Sequence, residues 1–276
     1  MNKKLVGLGV VSLAALTFAA CSSRTSNSSS SSESSDSAVK AAIITDVGGV
    51  DDRSFNQSAW EGLPAWGEEN GLKENTDYTY FQSASESDYV TNLDSAVSGG
   101  YNLVFGIGFA LESAIAEVAP NNPDTKYVIV DSVVADQDNV VSVGFADHEA
   151  SYLAGVAAAK STKSNHIGFI GGMEGVIIDR FEAGFVAGAK SVNPDIKVTI
   201  DYAGSFADAA KGQTLAAAQY AAGADVIFHA SGGTGNGVFA AAKAENETRN
   251  EADKVWVIGV DRDQSAEGDY TSKDGK

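Results

Sequence analysis

From residue 39 onward, short apolar runs alternate with longer amphipathic ones. Val39–Ile44, Tyr78–Gln82, Leu103–Phe105, Lys126–Val130 and Val140–Phe145 predict a first series of strands. His166–Ile170, Lys197–Ile200, Val226–His229 and Val255–Val260 predict a second. Val128-Ile129-Val130 and Val226-Ile227-Phe228 are apolar at every position, the pattern of a central parallel strand covered on both faces. Between the strands the period changes to that of a helix. Ser54 is placed to cap a helix holding Phe55, Ala59, Leu63 and Trp66, with Gln57 completing a capping box. Pro64 predicts a kink or a break after Leu63. Leu111, Ile115 and Val118 form another apolar face before Pro120. Asp147 is placed to cap a stretch through Lys160, and Asp208 one through Ala222.

Strands alternating with helices imply right-handed βαβ units and doubly wound sheets, an α/β fold. The two series divide near residues 150–165, which gives two Rossmann-like lobes, 39–155 and 156–276. The second has four strand candidates against five, and Asp263–Lys276 is polar with neither strand nor helix signal. The second lobe is therefore expected to be truncated at its C-terminus. One nine-stranded sheet is the alternative, disfavoured because chains of this length tend to divide their cores.

The segment before residue 39 has a different character. Lys3 and Lys4 precede a 16-residue run, Leu5–Ala20, that is small or apolar apart from Ser12 and Thr17. That is short for a membrane span and reads as a secretory leader. It ends in Phe18-Ala19-Ala20-Cys21, similar to a bacterial lipoprotein cleavage box with Phe18 in place of the usual leucine. Cys21 is the sole cysteine, which excludes an intrachain disulfide and makes it the expected lipid attachment point. Eleven of the sixteen positions from 22 to 37 are serine, so residues 22–38 are expected to form a flexible tether. Residues 1–21 as leader and anchor, followed by a tether, place the folded body outside the cytoplasmic membrane, held on its outer face by lipid.

Charge narrows the range of partners. The formal net charge is −18, with no Lys/Arg cluster to offset it locally. Such a field repels nucleic-acid phosphates and anionic lipid headgroups, so no nucleic-acid partner is expected and membrane attachment requires the covalent anchor.

Polar and glycine-rich residues collect where the strands end. The first lobe has Asp46-Val47-Gly48-Gly49-Val50-Asp51-Asp52, Gly106-Ile107-Gly108-Phe109 and Asp131-Ser132. Gly171-Gly172, Gly204-Ser205-Phe206, Ser231-Gly232-Gly233-Thr234-Gly235 and Asp261-Arg262-Asp263 lie in the second. Open α/β sheets bind ligands beyond the carboxyl ends of their strands, so segments from both lobes point to a shared cleft. Catalytic motifs are missing from these places. Gly48-Gly49 lacks dinucleotide-binding spacing, and no lysine followed by Ser or Thr completes a phosphate loop near Gly233. There is no nucleophile elbow. His148, His166 and His229 show no metal-site spacing. A binding protein without cofactor or metal is expected, not an enzyme.

Asp46-x-Gly48, then Asp51-Asp52-Arg53-Ser54-Phe55-Asn56 and Gly62, resembles the opening signature of the BMP/TmpC/PnrA family. Gly106-x-Gly108-Phe109, Gly171-Gly172-Met173, Gly204-Ser205-Phe206 with Asp208 and Lys211-Gly212, and Gly259-Val260-Asp261-x-Asp263-Gln264 resemble further landmarks of that family. Its members are substrate-binding lipoproteins of ABC transporters, and the resemblance spans roughly residues 39–264. It implies a periplasmic-binding-protein type I fold, a nucleoside enclosed between the lobes, and permease and ATPase partners.

Residue by residue, the resemblance implies that Phe55 and Phe206 sandwich the base while Asp46 and Asn56 read its edge. Asp261 then accepts from ribose hydroxyls, and Gly232 brings its backbone near the sugar. Each residue also has a plainer explanation. The two phenylalanines could be core contacts of their helices, and Asp46 and Asn56 could be turn and cap residues. Trp60 and Trp66 read as packing residues outside the site. A receptor for another small polar ligand, such as a sugar or autoinducer, remains an alternative, as does a surface adhesin.

Overall fold

A computed structural model of the chain describes residues 38–276. The expected leader, Cys21 and nearly all of the expected tether lie outside the described residues. Residues 38–276 form one compact body.

All nine expected strands are present, and they lie in two separate parallel sheets. The first contains β1 (Ala41–Ile44), β2 (Tyr78–Phe81), β3 (Leu103–Gly106), β4 (Lys126–Val130) and β5 (Val140–Val143), in the order β2-β1-β3-β4-β5. The second contains β6 (His166–Gly171), β7 (Lys197–Tyr202), β8 (Val226–Ala230) and β9 (Trp256–Ile258), in the order β7-β6-β8-β9. This arrangement sets aside the nine-stranded alternative. In both sheets the first strand in sequence lies inside, so the strand order reverses beside it: between β1 and β3, and between β6 and β8.

Helices cover both faces of each sheet, which is why the central strands are apolar at successive positions. Ile44, Val104, Tyr127 and Ile129 pack under α2 (Tyr89–Ser98) and α3 (Glu112–Val118), where Leu93, Ile115 and Val118 are buried. On the opposite face, Ala41, Ile43 and Tyr78 meet Leu63 of α1 (Phe55–Glu69). In the second lobe, Phe169 and Phe228 pack with Ala158 of α4 (Asp147–Ser161) and Phe185 of α5 (Val176–Val192). Ile170 and Ile227 face Ala216 and Tyr220 of α6 (Ala209–Ala221) and Val238 of α7 (Gly235–Thr248). Trp60 lies edge-on to Tyr80 at 4.8 Å between ring centroids, a packing role as expected. Among the described residues, no helix is long and apolar enough to cross a membrane.

Two local cap expectations, at Ser54 and Asp147, need correction. Ser54 occupies the N-cap of α1, but its side chain makes no capping bond and Gln57 closes no box. Asp52 supplies the cap, accepting from the backbone N–H groups of Ser54, Asn56 and Gln57. The Ser54 hydroxyl instead donates to Asp261, 207 residues away. At Pro64 the helix does not break: α1 runs continuously to Glu69, with Leu63 and Gly67 buried on either side of the proline. Gly67 lies so close to the Tyr78 ring that a Cβ there would stand 2.3 Å from it. Asp147 is the first residue of α4 rather than its cap, a place held by Ala146. Asp208 does cap α6, accepting from the backbone N–H of Lys211.

Candidate functional site

The two points of strand reversal face one cavity of about 190 Å³. Asp46, Phe55, Asn56, Phe206, Gly232 and Asp261, the six side chains and backbone positions expected from sequence, all line it. In both lobes the lining comes largely from segments that follow the carboxyl ends of the strands, where doubly wound sheets place their ligands.

The first lobe builds one wall through a tight loop after β1. Asp46 Oδ1 accepts from Gly48 N at 2.8 Å and from Asn56 Nδ2 at 2.7 Å. A Cβ at Gly48 would stand 2.6 Å from Asn56 Nδ2, so only glycine permits this approach. Burial, followed by the nearby Asp52 charge, raises the Asp46 pKa against the lowering effect of those hydrogen bonds. Phe55 opens α1 and presents its ring beside Gly108, which Asp46 Oδ2 also approaches.

The second lobe builds the facing wall. Phe206 follows β7 in a loop tied to the turn after β8. Thr234 N donates to Phe206 O at 3.1 Å, Thr234 Oγ1 donates to Ser205 O at 2.9 Å, and Asp208 N donates to Thr234 Oγ1 at 2.9 Å. Gly232 adopts φ +55 at the start of that turn, next to the Phe206 backbone. The Phe206 ring lies over Gly172 and meets Phe109 of the first lobe edge-on, with centroids 6.0 Å apart. Phe55 and Phe206 thus come from strand-to-helix junctions in different lobes, and Phe109 and Phe181 also line the cavity.

Acids gather at the remaining side. Asp131 follows β4 and Asp261 follows β9, and both hold left-handed backbone at φ +63 and +69. Non-glycine residues in that region are uncommon and tend to mark functional sites. Asp131 Oδ1 is buried without a partner. Desolvation and the neighbouring Asp147 push its pKa up to about 6. Although Asp261 has one flank open to solvent, its carboxylate sits among other acids and its pKa is also about 6, chiefly through desolvation. Arg180, whose charge acts on Asp131, reaches Asp147 at 3.7 Å and does not line the cavity. Among the described residues, no three His, Cys, Asp or Glu side chains are grouped to hold a metal ion.

Bonds between the lobes frame the site. Asn236 Nδ2 donates to Asp52 O at 3.0 Å, and Gln264 Nε2 donates to Arg53 O at 2.8 Å. Arg53 pairs with Glu267 at 2.6 Å and Arg262 with Glu61 at 2.9 Å. Exposed pairs of this kind contribute roughly 0–1 kcal/mol each, so they position the lobes more than they hold them.

Sequence reasoning missed several lining residues. Asp131 stood at an expected strand end, and that position was the available signal. Glu86, Tyr89, Met173 and Phe181 also line the cavity. Helix periodicity assigns residues such as Phe181 to packing, and only the tertiary fold turns them toward the cleft.

A family model described as ABC transporter substrate-binding protein PnrA-like matches residues 39–272. The ABC transporter nucleoside-binding protein BmpA of Lactococcus lactis subsp. cremoris is 59% identical over 276 residues, 100% of this chain and 78% of that protein. The CD4+ T-cell-stimulating antigen of Listeria monocytogenes is 52% identical over 272 residues, 98% and 76% of the two chains. Among solved structures, an ABC transporter solute-binding protein from Aeropyrum pernix K1 superposes with a TM-score of 0.74 at 29% identity. That match covers 82% of this chain and 63% of the Aeropyrum chain, just under two thirds of the latter.

Proposed function

Since the chain belongs to the PnrA-like family of ABC transporter substrate-binding proteins, a family of non-catalytic transport components, we propose that its cleft captures purine nucleosides for import. The observation that carries this reading is that Phe55 and Phe206, one from each lobe, line one cavity together with Asp46 and Asn56. Aromatic rings from both lobes in one cavity suit a flat heterocycle, and base–aromatic stacking contributes about 1–3 kcal/mol per base. Asp261 and Asp131 lie at the acidic side of the same cavity and suit the hydroxyl donors of a ribose. Gly232 brings its backbone close to that sugar. A phosphate has no cation to meet among the lining residues, so the free nucleoside fits better than a nucleotide. The nucleoside-binding relative at 59% identity supports the same reading.

In this account Cys21 is acylated and residues 22–38 tether the receptor to the outer face of the cell membrane. The two lobes then deliver their ligand to a permease driven by an ATPase. Lobe closure follows from ligand contacts on both sides, since bonds to both walls favour the closed population. The test is the ligand carried through purification. Protein purified without added nucleoside, then denatured and analysed by mass spectrometry, is expected to release a purine nucleoside in preference to sugars. Release of a monosaccharide instead would replace this reading with the sugar-receptor alternative.

A further inference from the structure

The Asn56 side chain is held in one orientation by two carboxylates. Its amide nitrogen donates to Asp46 Oδ1 at 2.7 Å and to Asp52 Oδ2 at 3.0 Å, using both hydrogens. Exchanging the amide oxygen and nitrogen would set oxygen against oxygen at both contacts. Asp52 is itself immobilised. It accepts four bonds, from the backbone N–H groups of Ser54, Asn56 and Gln57 and from the Asn56 amide. In consequence Asn56 Oδ1 is a buried acceptor without a partner, on a residue that lines the cavity. Asp46 uses Oδ1 on Gly48 and Asn56, which leaves Oδ2 outside those bonds and near Gly108, which the Phe55 ring also approaches. Asn56 and Asp46, joined by a hydrogen bond, therefore each keep one acceptor oxygen outside that bond, and both residues line the cavity. Tyr89 lines the same cavity, but a hydroxyl can turn to donate or accept and so discriminates little.

We propose that Asp52 acts through Asn56 as a specificity-positioning residue, holding Asn56 Oδ1 and Asp46 Oδ2 as paired acceptors that select a base edge with two adjacent N–H donors. Guanine presents such an edge, through its ring N1–H and its 2-amino group. Inosine keeps the ring donor alone. Adenine sets a ring-nitrogen lone pair beside its amino donor, and that lone pair would face an acceptor. This inference rests on the nucleoside reading above and adds a rank order to it. A buried acceptor left without a donor is costly, and bonds to a charged partner are the stronger kind, so discrimination of about tenfold or more is expected.

Calorimetric titration of the protein with guanosine, inosine and adenosine at pH 7.5 measures the order. Guanosine should bind at least about tenfold tighter than adenosine, with inosine between them. In Asp52→Asn a single amide oxygen replaces two carboxylate oxygens, so the four donors that Asp52 serves compete for it and the hold on the Asn56 amide weakens. The guanosine-to-adenosine ratio should then fall to about threefold or less. If Asp52→Asn does not fold, Asn56→Ala removes the acceptor without touching the helix cap and should lower the ratio similarly. A purely structural loosening would weaken all three nucleosides together and leave the ratio unchanged. Adenosine matching or exceeding guanosine in the wild type overturns the proposal, as does an unchanged ratio in the folded variants. Absence of binding by all three overturns the nucleoside reading itself, and this inference with it.

Discussion

Gly172→Ala should weaken nucleoside binding without altering a residue proposed to contact the ligand. Gly172 follows β6 and remains paired to the neighbouring strand through its N–H bond to Ala230 O at 2.9 Å. A Cβ there would stand 2.2 Å from Cε1 and 2.3 Å from Cδ1 of Phe206. Nonbonded carbons settle at about 3.5–4.0 Å, so the ring must retreat by more than about an ångström. Its backbone cannot follow easily, because Thr234 N holds the Phe206 carbonyl. The ring must instead swing across the cavity or toward Phe109. Either movement spoils one of two stacking faces, each worth about 1–3 kcal/mol, which corresponds to about 5- to 150-fold in affinity. Isothermal titration of guanosine, inosine and adenosine would measure the change, with circular dichroism and a melting curve reporting any separate cost of overpacking. All three nucleosides should weaken by a similar factor, since Asp46 and Asn56 lie in the other lobe. Wild-type affinity in the folded variant would show that the Phe206 ring is not a ligand face.

Phe55→Ala should likewise weaken purine nucleosides evenly, whereas Asp46→Ala should penalise those presenting N–H donors by about 10- to 150-fold more than those presenting acceptors; equal losses in a titration would make Asp46 a scaffold residue. Asp131 has a folded pKa of about 6, raised above the ordinary value of 3.8, so its penalty is absent below pH 4 and grows as the pH rises through 6. Asp131→Asn should therefore stabilise the protein at pH 7.5 by about 1–2 kcal/mol, allowing for partial solvent screening, and should have little effect at pH 4; a difference independent of pH in thermal melts would contradict this. Cys21→Ala should abolish incorporation of labelled lipid and leave the product unanchored, so unchanged labelling would refute the proposed attachment.

The strands were legible in the sequence because burial on both faces makes them apolar at nearly every position. Phe169 and Phe228 point into one core while Ile170 and Ile227 point into the other. Their carboxyl ends were also legible, and with them the neighbourhood of the cavity. The first turn of α1 was not. Ser54 matches the local rules for a cap, yet its hydroxyl is drawn to Asp261 from the far end of the chain. With Ser54 engaged there, Asp52 takes over the capping. No rule that reads a few neighbouring residues contains that competition. At Pro64 the sequence allowed a kink or a break, and the continuous helix excludes the break. The orientation of the Asn56 amide is the clearest case. It follows from two carboxylates, Asp46 ten residues before it and Asp52 four residues before it, brought together only by the folded loop.

The central claim is that this cleft binds a nucleoside between Phe55 and Phe206. Calorimetric titration of guanosine into the wild-type protein and into the double variant Phe55→Ala/Phe206→Ala tests it most directly. The account predicts saturable binding at one site in the wild type, and a loss of at least about 25-fold in the double variant if both rings stack. Undiminished affinity in a folded double variant, or binding of a monosaccharide with none of guanosine, would contradict it.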